Sequence, residues 1–122
     1  MTIQRVGIVG YGEVGRVFAA GLKSAGAGWV GVWDLKFDDP GQRDGLLAVA
    51  AGQGVQVCAS AADVCAGADL VISAVTASST LSVAFEVTAD IQPGAFFLDL
   101  NSASPGTKQE AAMLVDAAGA RY

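Results

Sequence analysis

Six residues near the amino terminus, Gly10-Tyr11-Gly12-Glu13-Val14-Gly15, restrict this chain more than any other stretch of it. They follow the apolar run Gln4 to Val9, which reads as a strand. They also open a segment from Glu13 to Ala25 with apolar residues at helical spacing, closed by Gly26 as a C-cap. A strand that turns directly into a helix needs glycine at defined places. Gly10 allows the tight turn, Gly12 lets a ligand approach the backbone, and Gly15 lets the helix pack close to the strand. The new helix presents unpaired N–H groups and its positive dipole end, which together suit a pyrophosphate. A chain with 16 glycines produces such spacings by chance, so the surroundings of the turn decide what it means.

Those surroundings repeat the same alternation. Trp29 to Leu35 reads as a second strand. After a polar loop with Asp38, Asp39, Pro40 and Gly41, a helix runs through Leu46, Leu47, Val49 and Ala50 to Gly52 or Gly54. Val55 to Cys58 forms a third strand, and Ser60-Ala61-Ala62-Asp63 resembles a capping box, with Asp for Glu, opening a brief helix that ends at Gly67. Strand four is Asp69 to Val75. A loop from Thr76 to Thr80 leads to a helix from Leu81 to Ile91, stopped by Gln92-Pro93-Gly94, and Ala95 to Leu100 is strand five. The last helix spans Pro105 to Ala118, and a sixth strand would start at Ala120-Arg121-Tyr122. Strands apolar on both faces that alternate with helices predict a parallel sheet covered on two sides. The expectation is an α/β, doubly wound Rossmann fold with a parallel sheet of five to six strands, one dinucleotide-binding domain over residues 1–122.

Composition removes several classes of function. Seven Lys plus Arg against twelve Asp plus Glu give 7 − 12 = −5, with no basic run to follow a phosphate backbone, so nucleic acid is not an expected partner. The apolar stretches are too short to span a bilayer. Met1-Thr2-Ile3-Gln4-Arg5 lacks the apolar core of a signal peptide, which makes a cytoplasmic setting the expectation. There is no histidine, and Cys58 and Cys65 are the only cysteines. Neither a Cys/His metal site nor a Ser/His/Asp triad can be built, and the two cysteines read as small buried hydrophobes.

A dinucleotide site needs more than the turn. It needs an acidic residue about 20 positions on, at the end of strand two, to accept hydrogen bonds from the adenosine ribose; Asp34 stands there. A carboxylate at that point repels a 2′-phosphate, which favours NAD over the alternative NADP, although Lys36 could pair with such a phosphate. A methyltransferase would end its first strand in an acidic residue before the glycines, and here that stretch is Val6-Gly7-Ile8-Val9. Ligands of open α/β sheets lie at the carboxyl ends of the strands, so the loops after strands four and five should meet the cofactor's other half. The cofactor-binding set is therefore Gly10, Tyr11, Gly12, Glu13, Val14, Asp34, Lys36, Val75 and Thr76, with Asn101 and Ser102 in the substrate and nicotinamide region. Ser78, Ser79 and Ser104 read equally well as helix N-caps.

Two segments together, Val6 to Gly15 and Asp99-Leu100-Asn101-Ser102-Ala103-Ser104-Pro105, resemble the β-hydroxyacid dehydrogenase superfamily, which includes 3-hydroxyisobutyrate and 6-phosphogluconate dehydrogenases. The resemblance covers essentially the whole chain. Many members carry D-x-S-T-x-x-P after strand five, and Asp99, Ser102 and Pro105 fall at its D, T and P positions. Asn101 replaces the usual Ser, and Ala74-Val75-Thr76 stands where relatives commonly have Leu-Pro; the Asn-Ser pair is closer to a 6-phosphogluconate dehydrogenase-like branch. The resemblance implies an oxidoreductase moving hydride between nicotinamide and a small hydroxy acid. It also implies a catalytic lysine in a helical C-terminal domain absent from these residues. Lys23, Lys36 and Lys108 do not match its motif, so no catalytic residue is expected here and the chain is expected to be inactive in isolation, as the dinucleotide half of a longer protein. Three readings stay open beside it: a stand-alone nucleotide-sensing or dimerising Rossmann module, an imine or ketoreductase of the same superfamily, and a homodimer formed along the sixth-strand edge.

Overall fold

The computed structural model describes residues 4–122, so the amino-terminal reading of Met1 to Ile3 lies outside the described residues. In chain order the elements are β1 (Arg5–Val9), α1 (Glu13–Ser24), β2 (Trp29–Trp33), α2 (Pro40–Gln53), β3 (Gln56–Val57), α3 (Ala61–Cys65), β4 (Leu70–Ser73), α4 (Thr80–Val87), β5 (Phe96–Asp99) and α5 (Pro105–Ala117). Short 3-10 turns at Leu35–Asp38 and Ala77–Ser79 follow β2 and β4. The five strands are all parallel in the order β3-β2-β1-β4-β5. After β3 the chain crosses back to the centre of the sheet, so the carboxyl end of β1 sits where the order reverses. That switch point is where an open α/β sheet offers a crevice.

Alternation along the strands sorts the core into two layers. Val6 and Ile8 of β1, with Val30, Val32 and Ile72, face α1 and α2 through Ala19, Leu22, Leu47 and Ala50. Val9, Val71 and Phe97 face α3, α4 and α5 through Val64, Val83, Val87 and Val115. Gly7 belongs to this second face, where a Cβ would collide with the Val64 carbonyl. Its missing side chain lets α3 lie almost on the sheet.

Several boundaries differ from expectation for local reasons. β2 stops at Trp33, because Asp34 caps the 3-10 turn by accepting from the Lys36 N–H at 2.9 Å, which lifts Leu35 out of the sheet into solvent. α2 begins inside the expected polar loop: Asp39 accepts from Gly41 N–H at 2.9 Å as N-cap and Pro40 takes the first helical position, where its missing N–H costs nothing. α4 covers Thr80–Val87 rather than Leu81 to Ile91, and Thr88 Oγ1 turns back to donate to the Phe85 carbonyl at 2.9 Å where it ends. Ser60 caps α3 through Asp63 N–H at 3.1 Å, as the sequence suggested. Of the sixth strand there is one parallel bridge, Phe96 to Arg121. No helix among the described residues is long and apolar enough to cross a membrane.

Candidate functional site

The site is assembled at the carboxyl edge of β1, β2 and β4. Gly10 closes β1 with φ +104°, and a Cβ on it would strike the Ala74 carbonyl oxygen beyond β4. Gly15, in the first turn of α1, would drive a Cβ into the Gly10 carbonyl. Gly12 between them is different in kind: nothing lies within 4 Å of where its Cβ would be. It is the N-cap of α1 and supplies no side chain to the helix end, so the first amides of α1 face open space. Two glycines are closed against protein and one is open to the cleft.

The turn is tied to β2 by two bonds. Gly10 N–H donates to the Trp33 carbonyl at 2.7 Å, and Tyr11 N–H donates to Asp34 Oδ2 at 2.7 Å. With Lys36 N–H on its other oxygen, Asp34 holds both turns at once, a structural duty that the spacing rule did not reveal. The side chain of Tyr11, a residue expected in the cofactor-binding set, is buried. Its hydroxyl donates to Gln53 Oε1, the Gln53 amide donates to the Arg16 carbonyl at 3.1 Å, and the ring lies 6.1 Å from that of Phe37. Burial holds the Tyr11 phenol above its ordinary pKa, with Arg16 opposing part of the rise. Arg16 itself reaches back to the Gly12 carbonyl, at 3.2 Å from Nε.

A cleft of about 770 Å³ opens over this turn. Gly10, Gly12, Glu13, Val14, Asp34 and Lys36 line one side and Val75 and Thr76 the other, so of the nine residues expected on a cofactor only Tyr11 is missing from its wall. Residues that sequence reasoning missed complete it. Ser82, Val83 and Glu86 form one face of α4, Leu35 and Asp39 form the lip beyond β2, and Ser79, already read as a cap, stands at the start of the helix. The spacing of the α4 residues was a usable signal; the exposure of Leu35 depended on where β2 ended.

Asn101 and Ser102 do not line the cleft. Ser102 is exposed, whereas Asn101 is buried and turned inward. Its Oδ1 accepts from Val75 N–H at 2.7 Å, its Nδ2 donates to Ser73 Oγ at 2.9 Å, and its own N–H donates to Asp99 Oδ1 at 2.8 Å. Asp99 also accepts from the Tyr122 hydroxyl at 2.6 Å and has Lys108 Nζ at 3.6 Å, so the lysine nearest this edge is engaged. Among the serines read as caps, Ser104 accepts from Thr107 N–H at 3.2 Å and caps α5; Ser79 makes no such bond for α4. Burial, reinforced by the Asp90 charge, pushes the Cys65 thiol up to about 11, and burial raises Cys58 as well. No group of three or more potential metal ligands occurs among the described residues.

Comparison with known proteins gives two kinds of likeness, to a family model and to solved structures. The family model for the NAD binding domain of 6-phosphogluconate dehydrogenase matches residues 5–122. Among solved structures, a conserved hypothetical protein from Sinorhizobium meliloti 1021 is 32% identical with a TM-score of 0.89, covering 98% of this chain and 40% of its own. The 3-hydroxyisobutyrate dehydrogenase of Mycobacterium tuberculosis, solved with L-serine, is 26% identical with a TM-score of 0.84, covering 98% of this chain and 39% of its own. A variant of an imine reductase from Myxococcus stipitatus, in complex with NAD+, shares the fold at 20% identity and a TM-score of 0.74, covering 99% of this chain and 39% of its own. No curated protein matches. The chain spans about two fifths of the length of these solved relatives.

Proposed function

The chain belongs to the family of the NAD binding domain of 6-phosphogluconate dehydrogenase, and from that premise we propose that it holds NAD(H) across the cleft, as the cofactor half of an oxidoreductase acting on a small hydroxy acid. The observation that carries this is the contrast among three glycines: Gly10 and Gly15 are closed by protein, and Gly12 alone is open at the start of α1. Backbone amides of Gly12, Glu13 and Val14 would take the pyrophosphate, helped by the positive end of the helix. Asp34 would accept from the adenosine ribose, and Val75 and Thr76 would border the nicotinamide half. Because β2 and β4 flank β1 on opposite sides, those two halves lie at opposite ends of one cleft.

We place NAD ahead of NADP. The adenosine end is edged by Asp34 and Asp39, with Lys36 as the cation beside them. A 2′-phosphate would enter among like charges. When bound, the nicotinamide ring supplies or accepts the hydride. The residues of this chain bind and orient; the acid/base for the substrate oxygen we assign to a group outside these 122 residues, since Lys108 pairs with Asp99, Lys36 stands beside Asp34 at the adenosine end and Lys23 lies by Gly54 beyond α2. Turnover is accordingly not expected from the chain alone. Fluorescence titration with NADH and NADPH separately tests the reading. Saturable binding with preference for NADH is expected, and binding of neither would overturn it.

A further inference from the structure

The fold buries Asn101 with hydrogen bonds from both ends of its carboxamide, and what they reach is the far wall of the cleft. Val75 N–H can only donate, which fixes the amide with Oδ1 toward Val75 and Nδ2 toward Ser73 Oγ. Ser73 is itself buried at the end of β4, and its carbonyl accepts from Leu100 N–H at 3.0 Å. Between Ser73 and Val75, the Ala74 carbonyl occupies the space left by the missing Cβ of Gly10. One side chain from the β5 loop thus fixes both neighbours of the peptide that abuts the glycine turn. A serine there has a single hydroxyl arm; the carboxamide spans acceptor and donor at once.

Resting on the cofactor reading above, we propose that Asn101 is a positioning residue that holds Val75 and Thr76 at the height required by the nicotinamide half of the dinucleotide, without touching the ligand. Its removal should therefore weaken the nicotinamide end of the site and spare the adenosine end, which Asp34 and the glycine turn hold from the other side of β1. The hydroxyls on the cleft wall at that end are those of Thr76, Ser79 and Ser82.

The test compares NADH with ADP-ribose, which lacks the nicotinamide, by calorimetric titration of the full chain. Asn101→Ala should lower NADH affinity about tenfold and leave ADP-ribose within about twofold. Asn101→Asp adds a readout that a merely structural residue would not move. Protonated, its carboxyl keeps the acceptor for Val75 and a donor for Ser73; ionised, it loses that donor and buries a charge next to the Asp99 carboxylate, so burial and like charge raise its pKa against the opposing pull of the Val75 N–H and a Ser73 hydroxyl turned to donate. Its NADH affinity relative to the unsubstituted chain should then recover as pH falls through that raised value. An equal loss for both ligands in Asn101→Ala, no loss for either, or an Asn101→Asp ratio flat with pH would each overturn the proposal. Failure of the unsubstituted chain to bind either ligand would overturn the cofactor reading and this one with it; binding of both ligands with any of the three patterns just described overturns this one alone.

Discussion

Gly12 and Gly15 are neighbours in one motif and answer to different constraints. A Cβ on Gly15 meets the backbone of Gly10, which cannot rotate away, so Gly15→Ala should destabilise the chain by about 1–3 kcal/mol in urea unfolding. At Gly12 the space is empty of protein. Gly12→Ala should cost under about 1 kcal/mol of stability, the usual loss at an N-cap, while lowering NADH affinity at least about tenfold by intruding on the pyrophosphate. Equal stability losses in the two variants would contradict the assignment. Asp34→Ala removes the acceptor for two backbone amides as well as for the ribose. Both the unfolding midpoint and NADH affinity should therefore fall, each by about 1–3 kcal/mol, and a change in only one would show that the two duties are separable. The sequence made the three glycines and Asp34 legible because their spacing encodes a turn and a reach. It could not show that Tyr11 and Asn101 point inward, since a motif fixes where the backbone goes and leaves the side-chain direction to partners elsewhere in the chain, here Gln53, Ser73 and Val75.

α4 illustrates what is legible at the scale of an element. Its apolar residues gave its existence, and its start was missed by one residue because Thr80 looks like loop chemistry while occupying the first helical position. There the Thr80 hydroxyl is buried and has no hydrogen-bond partner among the described residues. Replacing it with an isosteric methyl removes an unsatisfied polar atom, so Thr80→Val should raise stability by up to about 1 kcal/mol; destabilisation would mean that the hydroxyl is solvated in solution. The start of α2 was legible in principle. Asp39-Pro40 is a cap followed by a residue suited to the first helical position, but the cluster with Asp38 and Gly41 reads as a turn until the cap bond is seen. The strands were easier. β1, β2 and β4 are short runs buried on two faces, the edge strands β3 and β5 are partly exposed, and the ends set by Asp34 after β2 and by the Asn101 bonds after β4 depended on contacts distant in sequence.

For the whole molecule, the buried titratable groups set a limit on the alkaline side. Cys65 and Tyr11 both have folded pKa values above their ordinary 9.0 and 10.0, chiefly because burial disfavours their charged forms. The fold retains their protons longer than the unfolded chain does, so their contribution is fully present below pH 9 and for Cys65 is lost as the pH rises through about 11. Urea midpoints should be level from neutral pH to about 9 and then decline, with a shallower decline in Cys65→Val; parallel declines would assign the effect elsewhere. A second consequence at this scale comes from the place where the Ala74 carbonyl fills the gap left by Gly10. Two stretches encoded far apart share one volume the size of a methyl group, and neither can be redrawn without the other. In recombination between relatives, a crossover between α1 and β4 separates them, so viable hybrids should be those in which the donated first half keeps glycine at position 10 and the recipient half keeps its strand-four backbone at the same height.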